Sequence, residues 1–368
     1  MLEIRTFALA GGVAVAGGCA PDERFEIPPI VWSGEHLDFA PQPHATPVCA
    51  GTAPYMDRTM DLLAADMNVE IGRSVYVHGS RDDPSPCDDD AFACFHDGAV
   101  VYSPMAPHEH ELVHAVRSDI GHPFQFFEEG AAEMFGGDES LGGHVEPAAG
   151  PLREGLEASR SAGGLPLSWY PRAGTFSAYL HRDHGPDVTM TLLRETTYAS
   201  TTDEAIAVLE AATSMPFDEL VADYEWQDPS CNMRRWYRYP IYPCDAPEAL
   251  RQRCDGDVAV PIEESLSCDD PTVLGPREGE IFKYVAFDVP ADGTYMLRSA
   301  DRAGGDNGWI ALKQCQLGCS SSYIALPYDG LDNPVHLRAG RYSLRLTRRA
   351  DVETPSSMAV TIAGDDCR

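Results

Sequence analysis

The sequence predicts an α+β protein in which a mostly helical domain is followed by a small all-β sandwich. Three observations carry this prediction. Apolar side chains recur at helical spacing in residues 53 to 66 (Met56, Met60, Leu63), and the pattern from residue 108 to about 225 is mostly helical. Beyond about residue 265 the period falls to two: Val285, Phe287 and Val289 alternate with Ala286 and Asp288, and Tyr342, Leu344 and Leu346 with Ser343, Arg345 and Thr347. Between them, residues 229–255 are rich in Cys, Pro, Tyr and Arg and read as a disulfide-pinned connector.

In chain order, residues 1–18, "MLEIRTFALAGGVAVAGG", form an apolar run too short and too rich in glycine for a membrane span, and read as a signal peptide. Ala16, Gly17 and Gly18 precede Cys19, and together they resemble a bacterial lipoprotein box. That resemblance implies a lipid on Cys19, an anchor in a membrane and a place in the cell envelope, with plain secretion as the alternative. Residues 19–48 are proline-rich and aperiodic, which predicts a tether. The body at 49–228 opens with the helix at 53–66. The strand "RSVYVHG", a loop carrying Asp88-Asp89-Asp90 and the strand "AVVYS" follow. The helices after Pro107 are separated by loops at "GGDESLGGH" and "SAGGLPLSWYPRAG", and residues 256–368 make the sandwich.

Composition narrows the partners. With 58 acidic against 27 basic side chains the formal charge is −31, so phosphate backbones and anionic lipid headgroups are repelled, and nucleic acid is excluded as a partner class. Of eleven cysteines only Cys19 lies at the leader; the even remainder suits disulfides in an oxidising compartment. Cys87 with Cys94 and Cys315 with Cys319 are close enough in sequence to pair locally, and no C-x-x-C pair suggests a structural metal site.

The chemistry concentrates in "HEHELVHAVR", residues 108–117. A helical residue advances about 100°, so His110 and His114 project within about 40° of each other and can reach one cation. Glu111 stands close enough to both to act on a water without ligating the metal. A catalytic zinc takes a third protein ligand, and His122, Glu128, Glu129 and Glu133 are within reach in sequence. In "FQFFEEGAAEMFGG" Glu129 and Glu133 share one face with small Ala132 and Gly136, whereas Glu128 points about 100° away. Glu129 is therefore assigned as third ligand and Glu133 as the acceptor that orients a histidine ring. His108, His122 and His144 read as ordinary loop or helix-end residues, and His181 and His184 as partners of a helix C-terminus.

"HELVH" followed by "EEGAAEMF" resembles the gluzincin metallopeptidases, and "WYPRAGTFSAYLHRDHG" with "ADYE" resembles the downstream part of that superfamily's domain. The resemblance spans residues 50 to 227. It implies a zincin-like fold and a Zn2+ ion held by His110, His114 and Glu129. It also implies Glu111 as general base, Tyr170 as the oxyanion-stabilising tyrosine, and a peptide or protein substrate. The G-x-M-E-N strand of the superfamily's aminopeptidases is missing, "HDGAVVYS" standing in its place, so an endopeptidase is implied, with an edge strand free to pair with a peptide. The phrases "FDVPADGTYMLRS" and "HLRAGRYSLRL" resemble the pre-peptidase C-terminal sandwiches appended to secreted bacterial peptidases. A second reading gives the function to that sandwich: a cell-surface binding protein whose metal domain is inactive or structural.

Overall fold

Two short strands, β1 (Trp32–Ser33) and β2 (Leu37–Pro41), precede the first helix, α1 (Thr52–Met67), and β3 (Ser74–His78) follows it. β2 and β3 pair in parallel, with Phe39 opposite Tyr76, so α1 is the crossover that returns the chain to the same end of the sheet. Tyr55, Met56, Met60, Leu63 and Met67 recur on one face of α1 and are buried; each contributes roughly 2 kcal/mol through apolar area removed from water. β4 (Cys94–His96) and β5 (Val100–Ser103) complete a sheet in the order β1-β2-β3-β5-β4, with β4 antiparallel at the edge. The structure, a computed structural model, describes residues 25–80, 82–87, 92–96, 99–136, 150–160, 164–226, 241–246, 252–254, 257–301, 308–315, 323–351 and 356–363.

Helices then dominate: α2 (Glu109–Val116), α3 (Gln125–Phe135), α4 (Leu152–Ala158), α5 (Tyr170–Tyr179), α6 (Pro186–Glu195), α7 (Thr202–Thr213), α8 (Phe217–Trp226) and the short α9 (Ile241–Asp245). The rest is two antiparallel five-stranded sheets. Their strands are β6 (Gln252–Cys254), β7 (Asp257–Leu266), β8 (Leu274–Arg277), β9 (Glu280–Val289), β10 (Gly293–Asp301), β11 (Gly308–Gln314), β12 (Tyr323–Pro327), β13 (Asp332–Leu337), β14 (Gly340–Arg349) and β15 (Ser356–Ala363). One sheet runs β13-β10-β15-β7-β6 and the other β12-β11-β14-β9-β8. Val285, Phe287, Leu297, Leu312, Leu344 and Leu346 fill the space between them. The chain is thus mixed α and β, with the helical part first.

Several expectations need correction. From Trp32 onward the segment expected to be a tether is part of the sheet. Leu37, Phe39 and Ala40 are buried, and the Asp57 carboxylate of α1 accepts the backbone N–H groups of Glu35, His36 and Leu37 at 3.2, 2.8 and 2.9 Å. A strand of five residues is too short to show its period against a proline-rich background, which is why composition misread it. "YPRAG", expected in a loop, is the start of α5; Pro171 is tolerated because the first turn of a helix has no partner for its N–H. Cys315 pairs with Cys244 rather than with Cys319, because α9 lies against β9 and β14 and brings the two Cα atoms to 5.7 Å. Cys87 does pair with Cys94, and Cys49 with Cys268. Cys19, Asp88-Asp89-Asp90, His144, Cys319, "GGDESLGGH" beyond Gly136 and most of the connector lie outside the described residues.

The sandwich is not a bead on a string. Phe282, Tyr284 and Ala286 on the outer face of β9, with Leu274 of β8, belong to the same buried cluster as α1, α2 and α3. Among the described residues no helix is long and apolar enough to cross a membrane.

Candidate metal centre

All eight residues of α2 are buried, two histidines and two glutamates included. Burying such groups is costly unless each finds a partner, so the surroundings of α2 decide what the helix is for. It lies between α1 and α3, and two glycines let α3 pack closely, Gly136 against α2 and Gly130 against α5. A Cβ on Gly136 would stand 3.1 Å from the Cα of His110, and one on Gly130 would stand 2.7 Å from the Ala173 carbonyl oxygen of α5.

That approach brings three potential ligand atoms together. Nε2 of His110 lies 3.2 Å from Nε2 of His114 and 3.2 Å from Oε2 of Glu129, and His114 Nε2 lies 3.5 Å from the same oxygen. His110, His114 and Glu129 are accordingly a group able to hold a metal ion. Two tests favour a cation there. Ligands about 2.0–2.1 Å from a tetrahedral zinc are roughly 3.3–3.4 Å apart, the edge length of this triangle. Two imidazole nitrogens and a carboxylate oxygen also form a donor set that a small divalent ion satisfies at once.

The remaining neighbours fix the rings. Glu133 is fully buried, and its Oε1 stands 3.1 Å from His110 Nδ1. Behind His114, Glu128 Oε1 lies 3.3 Å from Nδ1 and forms an ion pair with Arg117, whose guanidinium also donates to the Gly121 carbonyl at 2.6 Å. Arg117 Nη2 is itself 3.2 Å from His114 Nδ1. Angular arithmetic had turned Glu128 away from the site. It does miss the triangle, but it reaches the far nitrogen of His114, and Arg117 three residues after His114 was the signal for it.

Electrostatics follow from these contacts. Burial opposes a charge on His110, but hydrogen bonds to Glu129 and Glu133 outweigh it and push its pKa up to about 10. Burial likewise opposes ionisation of Glu129, yet His114 and His110 hold its carboxyl well below the usual carboxylate range. For Glu111 burial wins: its carboxyl is raised, with His114 and His110 pulling the other way. Burial lowers Arg117 to about 10, which leaves it charged at neutral pH.

Tyr170, the first residue of α5, stacks on the His110 ring with centroids 5.8 Å apart and planes inclined by 12°. Burial, then the charge of Glu129, drives its hydroxyl far above the ordinary tyrosine range, so it stays a proton donor. His108 is buried with Nδ1 2.9 Å from Ser103 Oγ, and burial holds its pKa well below the usual value. His122 is exposed. His181 and His184 lie in a π-helical turn, Leu180–His184, with His184 Nε2 3.0 Å from the Tyr179 hydroxyl.

No protein-family model and no curated protein matches this sequence. Among solved structures, the chain is similar over 32% of its length to the pre-peptidase C-terminal domain of a collagenase from Bacillus anthracis, covering 93% of that domain at 12% identity and a TM-score of 0.21. Over 87% of its length it is similar to Legionella pneumophila aminopeptidase A in complex with aspartic acid, at 11% identity and a TM-score of 0.32, and it spans 34% of that chain. It is also similar over 31% of its length to a carbohydrate binding module from Cellvibrio mixtus lichenase 5A, at 15% identity and a TM-score of 0.17, covering 91% of that module. Scores this low leave the chemistry to the side chains themselves.

Proposed function

We propose that the protein is a zinc-dependent metallopeptidase of the gluzincin kind, with a zincin-like helical domain, acting as an endopeptidase on peptide or protein substrates. The observation that carries this reading is the triangle of His110, His114 and Glu129 with Glu111 on the same buried helix. Zinc fits a donor set of two imidazoles and one carboxylate, and when bound it supplies a Lewis acid that lowers the pKa of water and polarises a carbonyl. Glu111, its carboxyl raised by burial, accepts the proton of the attacking water and passes it to the leaving amine. The Tyr170 hydroxyl, held protonated, donates to the carbonyl oxygen as charge develops there. The Glu133 carboxylate, 3.1 Å from Nδ1 of His110, favours by its charge the tautomer that presents the Nε2 lone pair to the ion, and the Glu128–Arg117 pair packs against the Nδ1 side of His114. The peptide strand is assigned to β4, the antiparallel edge of the sheet, because β5, built from the phrase expected at that edge, is covered on both sides.

The test is Glu111→Gln, with metal content by elemental analysis and hydrolysis of an unfolded protein on the same samples. The expected result is one zinc per chain in wild type and variant, with turnover lost in the variant alone; full activity in the variant overturns the reading. We further propose that Cys19 carries a lipid that anchors the protein in the cell envelope. Unchanged partitioning of Cys19→Ser into detergent overturns that part.

A further inference from the structure

An α-helix of eight residues is too short to hold its own geometry, since isolated helices below about 12–15 residues are marginal in water. The position of α2, and with it of His110, is therefore set by whatever grips its ends. At the N-terminal end the grip comes from the sandwich. Arg277, the last residue of β8, is 2% exposed, and its Nη2 lies 2.6 Å from Oε2 of Glu109 and also donates to the carbonyl oxygen of Pro107. The other oxygen of Glu109 accepts from the Tyr55 hydroxyl of α1 at 2.8 Å. Glu109 and Pro107 lie one and three positions before His110.

Arg277 is itself held. Thr52 Oγ1 exchanges hydrogen bonds with the backbone of Gly275, Cys49 N–H donates to the Gly275 carbonyl, and the Cys49–Cys268 bridge closes the same junction. The guanidinium also lies 5.4 Å from the Phe282 ring centre. A buried ion pair contributes little net stability compared with apolar side chains of the same size, and what it supplies is a fixed geometry.

We propose that Arg277 of the sandwich is a positioning residue for the metal-binding helix: through Glu109 and the Pro107 carbonyl it sets where His110 stands, so the sandwich is a working part of the metal site. This rests on the metal reading above. The test compares the full-length wild type with Arg277→Met, Arg277→Lys and the double variant Glu109→Leu/Arg277→Leu, which removes both charges and so leaves neither unpaired. Zinc affinity is measured by competition with a chromophoric chelator, the visible spectrum of the cobalt(II)-loaded site is recorded, and near-ultraviolet circular dichroism monitors the fold.

Loss of one oriented grip is expected to weaken zinc binding about tenfold or more in Arg277→Met and in the double variant, with an altered cobalt spectrum on a folded protein. Lysine, which keeps charge and donors, is expected to restore most of both. Wild-type affinity and spectrum in the folded double variant overturn the positioning role while leaving the metal reading intact. No metal bound to the wild type overturns the metal reading, and the positioning role with it.

Discussion

Glu133 Oε1 and His110 Nδ1 stand 3.1 Å apart, on the opposite side of the imidazole from the nitrogen that faces Glu129 and His114. A carboxylate at that position keeps the ring proton on Nδ1 and the lone pair on Nε2, pointed into the triangle.

Replacing Glu133 with glutamine removes the charge but keeps the volume. Orienting carboxylates of this type are worth about 10–100-fold in metal affinity. Zinc binding by Glu133→Gln is expected to weaken within that range, read by chelator competition. An unchanged affinity shows that packing alone orients His110.

Proton release gives a second test. In the metal-free protein the His110 pKa is raised to about 10, against an ordinary value of 6.5. A raised value contributes stability that is fully present below the unfolded pKa and is lost as pH rises through the folded one. Metal-free protein should therefore lose thermal stability between about pH 6.5 and 10, while a bound cation takes over the place of the proton. Calorimetric titration with zinc near pH 7.5, in two buffers of different ionisation enthalpy, should show about one proton released per ion. No release contradicts a protonated His110.

Tyr170→Phe deletes one hydroxyl and keeps the ring stacked on His110. Loss of a single oxyanion donor costs about 10²–10³ in kcat. The expectation is a fall of that order in kcat with zinc affinity within a few-fold of wild type. A fall in affinity instead assigns Tyr170 to packing against the ligand.

Asp57→Ala strips the acceptor from three consecutive N–H groups at residues 35 to 37. Hydrogen bonds to charged groups contribute roughly 1.5–3 kcal/mol each when buried and less here, where the segment is partly exposed. Denaturant unfolding should show a loss of about 2 kcal/mol. Limited proteolysis should begin to cut before residue 42. Resistance equal to wild type means that sheet pairing alone holds the segment.

Much of the site is written locally. The period of α2 is enough to set His110 and His114 on one side, and the small residues Ala132 and Gly136 tell that α3 can come close. The structure brings the two histidines and Glu129 together as a potential metal group. Arg277 could not be read this way. It lies 168 residues from Glu109, in the short segment "LGPR" that shows no period of its own, and nothing in either local pattern names the other. The sheet shows the same limit: β3 alternates visibly, but its parallel pairing with β2 depends on a crossover, and the five residues of β2 are too few to advertise their period. Pattern reports which face of an element is buried, and it stays silent about which element covers it.

The bridges Cys49–Cys268 and Cys244–Cys315 each join the first 246 residues to the sandwich. A protease that severs the backbone between Ala246 and Asp257 would therefore leave one covalent molecule of unchanged mass on a non-reducing gel, parting into two fragments only when thiol is added. Wherever proteases are present such a nick is survivable: the wound does not release the half that carries Arg277.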